Sequence, residues 1–150
     1  MAKAGQEDLS GKSEPGEDPP EEWKWLSRRL VETLHAETLS RFGGTAGLRE
    51  EGLLESALAA PKHLARYGDP SVWELAAAYC EGLLQNHPFA DGNKRVGLLA
   101  ARAFLFKNGY RLEPKEAETV AVIRGAAAGE FGREELAEWL EVSSEPIPEA

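Results

Sequence analysis

Apolar positions recur at near-helical spacing along most of this chain, and the elements they predict are helices. Trp23, Leu26, Leu30, Leu34 and Phe42 predict a first helix that starts after Pro19-Pro20 and faces these residues to the core. Glu21 and Glu22 suit its first turn, and Gly43-Gly44 ends it. Leu53, Leu54, Ala57 and Leu58 predict a second helix over about 50–60, stopped by Pro61. Residues 61–70 read as an irregular segment closed by the turn Tyr67-Gly68-Asp69-Pro70.

Ser71-Val72-Trp73-Glu74 is a capping box, so a third helix starts there and runs to about Asn86, with Val72, Leu75, Tyr79 and Leu83 on one face. From about Gly92 to Asn108, Val96, Leu98, Leu99, Phe104, Leu105 and Phe106 leave almost no polar face. That pattern predicts a central helix buried on most sides. Asn108-Gly109 caps it, and Tyr110-Arg111-Leu112 reads as short and extended. Pro114 is placed at the first position of a fifth helix, with Val120, Ile123 and Ala127 on its apolar side. Arg133 to Glu141 makes a last helix with Leu136, Trp139 and Leu140 facing in. The expected fold class is all-α, a bundle of about six helices around the helix at 92–108.

The two ends differ from this pattern. Residues 1–22 are polar, acidic and broken by Gly and Pro, and cannot bury enough apolar surface to offset ordering entropy. They are expected to be a disordered tail, residues 23–142 a single domain, and residues 143–150 a second loose tail.

Charge and cysteine usage narrow the class. The net charge of −9 divides into −5 over residues 1–22 and −4 over the rest, so neither part offers the broad basic face of a nucleic-acid binder. The lone cysteine, Cys80, excludes an intramolecular disulfide and fits a reducing compartment; in its Ala/Leu-rich setting it reads as a small core residue. No apolar run approaches the roughly 20 residues of a membrane span, and no apolar signal region opens the chain. A soluble cytoplasmic protein is expected, with no membrane or direct nucleic-acid partner.

Candidate chemistry is concentrated in Asn86-His87-Pro88-Phe89-Ala90-Asp91-Gly92-Asn93-Lys94-Arg95. His87 can accept a proton near neutral pH. Asp91 is a hard oxygen ligand suited to Mg²⁺. Gly92 permits close backbone approach, and Asn93, Lys94 and Arg95 supply donors and two positive charges where a helix begins. Helix N-termini bind phosphate, so the stretch reads as a polyphosphate site with a base and a metal beside it. Pro88 steers His87 away from the helical region, which argues for a loop rather than a zinc-binding helix. His35 reads as a structural hydrogen-bonding residue in the first helix, and His63 as solvent-facing.

The run His-Pro-Phe-Ala-Asp-Gly-Asn-Lys-Arg at 87–95 resembles the signature loop of the Fic/Doc superfamily, and its Lys form resembles the death-on-curing (Doc) toxins. The likeness extends from about Trp25 to Val142 and includes Arg41-Phe42-Gly43-Gly44, Asn108-Gly109-Tyr110 and Gly125 to Glu130. It implies ATP as co-substrate with Mg²⁺ on Asp91, His87 as the catalytic base for a target hydroxyl, and Phe89 as the anchor of the loop. Gly92 and Asn93 would form the anion hole, and Lys94 and Arg95 would contact phosphate. It further implies a flap within 61–70 that holds the target peptide.

Doc-type proteins transfer the γ-phosphoryl group, their known target type is a Thr of elongation factor Tu, and a small antitoxin protein restrains them. Typical Fic enzymes have Gly at the place of Lys94 and transfer AMP, and Pro88-Phe89 and Gly92 stand closer to that form. A nucleotide- or partner-binding module without turnover is the non-enzymatic alternative. The inhibitory pattern Ser/Thr-x-x-x-Glu-Gly/Asn of many Fic enzymes has no match. Its nearest versions, at Ser10–Glu14, Ser13–Glu17 and Thr33–Glu37, are followed by Pro15, Asp18 and Thr38. Inhibition is therefore expected from a separate protein.

Overall fold

The computed structural model describes residues 22–148, so the expected acidic tail lies outside the described residues apart from Glu22. The elements are α1 (Arg28–Phe42), α2 (Glu51–Tyr67), α3 (Val72–Asn86), α4 (Asn93–Lys107), β1 (Tyr110–Leu112), α5 (Glu116–Ala127), α6 (Arg133–Val142) and β2 (Ser144–Pro146). The fold is all-α in class, a six-helix bundle with one two-stranded ribbon.

Local capping chemistry explains most boundaries. Ser71 accepts from the Glu74 N–H and Glu74 answers on the Ser71 N–H, completing the expected capping box. Gly43 ends α1 at φ 77°, its N–H donating to Leu39 O. The start of α1 differs from expectation. Ser27, whose hydroxyl accepts from the Leu30 N–H, is the N-cap, and Trp23 to Leu26 precede the helix. That short segment is pinned by other means: Lys24 and Asn108 exchange hydrogen bonds, the Leu26 N–H donates to Tyr79 Oη, and both tryptophans pack on Phe104. Pro114 likewise falls before α5, whose N-cap is Lys115.

Pro61 does not stop α2. It sits buried inside that helix, which continues to Tyr67 because Ala65 beyond it is also buried against the core. A proline removes the donor to the carbonyl four residues earlier, here that of Ala57. Gly82 of α3 lies against this carbonyl so closely that an added Cβ would come within 3.3 Å of the oxygen. The irregular flap expected at 61–70 is therefore helix as far as Tyr67, with only a short turn after it.

The centre of the bundle is α3 rather than the expected helix at 92–108. α3 packs against α2, α4, α5 and α6, and nine of its fifteen residues are buried, among them the run Leu75 to Cys80. Its alanines admit a neighbour on nearly every side. α4 runs along α3 and also meets α1, β1 and α5, but Lys94, Arg95, Arg102, Phe106 and Lys107 keep one side of it in solvent. Phe42, expected in the core, is 60% exposed. Residues 144–146 are not loose: β2 pairs antiparallel with β1, Arg111 opposite Glu145. No helix among the described residues is long and apolar enough to cross a membrane.

Candidate active site

α3 delivers His87 and α4 begins six residues later, so the loop between the two most closely packed helices is fixed at both ends. His87 closes α3 in the left-handed region, φ 49° and ψ 57°, with its N–H on Leu83 O. No other non-glycine residue among those described has a positive φ. Pro88 and Phe89 then turn into the core, where both are buried. The Phe89 ring stacks on His35 of α1 at 3.7 Å between centroids and 11° between planes.

His35, itself buried, holds the loop a second way. Its Nε2 lies 2.7 Å from the Asp91 carbonyl oxygen, which can only accept, so the His35 ring donates. This is the structural role expected for His35. Gly92 adopts φ 82° at the N-cap of α4, and a Cβ there would press within 3.3 Å of Thr38 Oγ1 and 3.5 Å of the His35 ring. Conformation and space both call for glycine.

Asn93 is buried and its amide is engaged inside the loop. Oδ1 accepts from the Phe89 N–H at 3.1 Å, and Nδ2 donates to Phe89 O at 3.0 Å and lies 3.3 Å from His87 Nδ1. The side chain expected to help form an anion hole therefore holds the loop and the His87 ring. The anion-binding groups left at this point are backbone N–H groups, since the first turn of a helix has no intrahelical acceptors for them. α4 carries no acid in that turn, and the carboxylate at its positive pole is that of Asp91, just ahead of the N-cap.

Asp91 is exposed, with Oδ1 accepting from the Gly92 N–H at 2.9 Å and Oδ2 from the Thr45 N–H at 3.3 Å. Gly44 lets the α1–α2 connection come this close: a Cβ on it would lie 2.9 Å from Asp91 Oδ2. Among the described residues no three metal-ligating side chains gather. A single exposed carboxylate fits Mg²⁺ held jointly by nucleotide phosphates and water, as that ion prefers, and does not fit a resident all-protein metal cage.

A cavity of about 530 Å³ opens over these groups, within the range of small-molecule sites. His87, Asp91, Gly92, Asn93, Lys94 and Arg95 all line it, while Phe89 sits behind them in the core. The cavity joins a cationic end to an apolar wall formed by Leu98 of α4 and Val120 and Ile123 of α5. Arg95 rests over the exposed Phe42 ring, 4.1 Å from its centroid. His63 is exposed on α2 against Tyr67, away from the site. Cys80 is buried, and burial pushes its thiol up to about 12, which makes it inert.

Several contributors escaped the sequence. Arg49 donates through Nε to His87 O at 2.7 Å and through Nη2 to Asn86 O at 3.2 Å, while its own N–H reaches Pro88 O at 2.7 Å. Leu48 bridges to Phe89. Thr119 and Arg124 of α5 line the cavity, and Val120, expected inside, is 52% exposed there. None of these left a trace in the sequence, whereas Gly44, which comes close to Asp91, belongs to a glycine pair that could have marked close approach as well as a helix end.

The loop is polar, lies at a helix N-terminus and opens into a cleft between helices of an all-α scaffold. The Fic/DOC family model matches residues 25–105, just over half of the chain, and the chain belongs to that family. Protein kinase doc of Escherichia phage P1 is 31% identical over 118 residues, 77% of this chain and 91% of that protein. Toxin Doc of Mycolicibacterium smegmatis is 42% identical over 73 residues, spanning 47% of this chain but only 56% of that relative.

Proposed function

We propose that this protein is a Doc-like toxin that transfers the γ-phosphoryl group of ATP to a hydroxyl of a target protein. The observation that carries the reading is Lys94 on the cavity wall in the first turn of α4. Its four-carbon stem fills the space that glycine would leave for a ribose, and its ammonium draws in a terminal phosphate. The printed name of the phage relative, a protein kinase, supports the same direction. The AMP-transferring alternative has one sequence feature in its favour, the Fic-like Pro88-Phe89 and Gly92.

The reaction joins the target oxygen to the γ-phosphorus and breaks the bond from that phosphorus to the β–γ bridging oxygen, releasing ADP. His87 takes the hydroxyl proton. Asn93 Nδ2 lies 3.3 Å from His87 Nδ1 and so steadies the ring that takes this proton. The α4 N-terminus with Lys94 and Arg95 binds phosphate oxygens, Arg95 through its planar fork. Mg²⁺ on Asp91, when bound, neutralises phosphate charge. The target class is a hydroxyl-bearing residue such as a Thr of elongation factor Tu, in the cytoplasm. A small antitoxin protein provides inhibition.

The test is the wild-type protein with α-labelled and γ-labelled ATP in parallel, with elongation factor Tu as acceptor. Label from the γ position alone is expected. Label from the α position would replace phosphoryl transfer by AMP transfer, and label from neither would leave the binding-module reading.

A further inference from the structure

We propose that Arg49 is a positioning residue for the transfer step: it holds the His87 peptide in its left-handed conformation and so aims the imidazole. The proposal rests on the reading of His87 as the base. Three consecutive carbonyls, those of Asn86, His87 and Pro88, all accept from this one residue. The conformation they enclose is uncommon for a side-chain-bearing residue and persists only where the surroundings impose it. A guanidinium spans two carbonyls in a fixed fork, which a lysine cannot do.

The carbonyl end of a helix attracts a cation, yet α3 has no basic residue in its last turn. Arg49 supplies that cation from the α1–α2 connection. The same connection runs antiparallel to the loop, with Leu48 bridging to Phe89 and the Ala90 N–H on Gly47 O. These backbone bonds do not need the Arg49 side chain, so its removal tests aiming separately from the strand-like contact. Arg49 is not among the residues lining the cavity, and its side chain reaches the loop through the Asn86 and His87 carbonyls.

The experiment uses the full chain with R49A and R49K, measuring γ-phosphoryl transfer at varied ATP, ATP-binding stoichiometry, and the NMR signals of the His87 ring. A misplaced group costs on the order of a hundredfold in rate, so R49A is expected to lower kcat by roughly ten- to a hundredfold. The ATP KM should stay within about twofold of wild type, as expected when ground-state binding is untouched. R49K should recover only part of the loss, binding stoichiometry should hold, and the His87 ring should populate more than one orientation. Wild-type kcat in R49A, a rise in KM alone, or a rate loss matched by lost binding stoichiometry would each overturn the proposal. If the wild-type chain transfers no label, the functional reading fails by itself. The NMR arm still decides the positioning claim, because one rigid His87 orientation in R49A refutes it and a mobile ring upholds it.

Discussion

The seam between α3 and α4 and the loop that joins those helices lie side by side, yet different forces hold them. Along the seam, Tyr79, Cys80, Leu83 and Leu84 meet Val96, Gly97, Ala100, Ala101 and Phe104, all buried and nearly all apolar. Such contacts are non-directional, and their strength follows area and fit. The loop buries only Pro88 and Phe89 and is otherwise held by hydrogen bonds to His35 of α1, to Thr45, Gly47 and Arg49 of the α1–α2 connection, and to Asn93 of α4. Hydrogen bonds are directional, so they set the angles at which His87 and Asp91 face the cavity. Under the proposed function, stability and reactivity fall to adjacent but separable sets of residues.

The sharpest way to break this division is at His87. As an exposed side chain it contributes little to the core, so His87→Ala should leave the urea midpoint near wild type. Removing a general base costs roughly 10²–10⁴-fold in rate, and steady-state transfer with γ-labelled ATP measures it. Full activity would remove the base from the loop; a large fall in stability would show that the two regions are not separable.

The complementary change is Phe104→Ala, inside the seam. Its ring is fully buried and lies within 6.4 Å of the rings of Trp23, Trp25 and Tyr79, centroid to centroid. Truncating a buried Phe costs about 3–5 kcal/mol, read by urea unfolding. The fraction that remains folded should bind ATP as wild type does, because the cavity lies at the other end of α4.

The smallest effect sharpens the comparison through pH and is invisible near neutrality. Burial pushes Tyr79 up to about 12, despite the Leu26 N–H on its oxygen, and pushes Cys80 to about 12 as well. Both are neutral when protonated, so below about pH 7 neither ionises appreciably in folded or unfolded chain and stability is unaffected. As pH rises towards 12 the unfolded chain loses these protons while the native chain keeps them, and stability falls. Unfolding titrations from pH 8 to 11 should show the decline, and Cys80→Ala should reduce its slope. An unchanged slope in that variant would mean the thiol is not the buried group it is taken for.

The amino-acid sequence by itself determined what local rules govern. The capping box at Ser71, the glycine end at Gly43, the span of α4 and the contiguous motif from His87 to Arg95 each depend on residues within one short continuous stretch. Their physics is complete in a short window. Tertiary structure decided the rest. Pro61 continues a helix because Ala65 gains burial beyond it, and Trp23 and Trp25 leave the helical path because Ser27 caps better and Phe104 offers a surface. The 144–146 segment becomes a strand only because β1 is there to pair with it. α3, not α4, became the central helix because its run of small residues admits several neighbours, which a one-helix pattern does not count. At the site, Thr119 and Arg124 of α5 line the cavity, and Arg49, Thr45 and His35 hydrogen-bond to the loop from 37 to 56 positions away along the chain. A hydrogen bond across that distance has no period, spacing or composition to announce it; it exists only after the helices have packed and brought its two ends together.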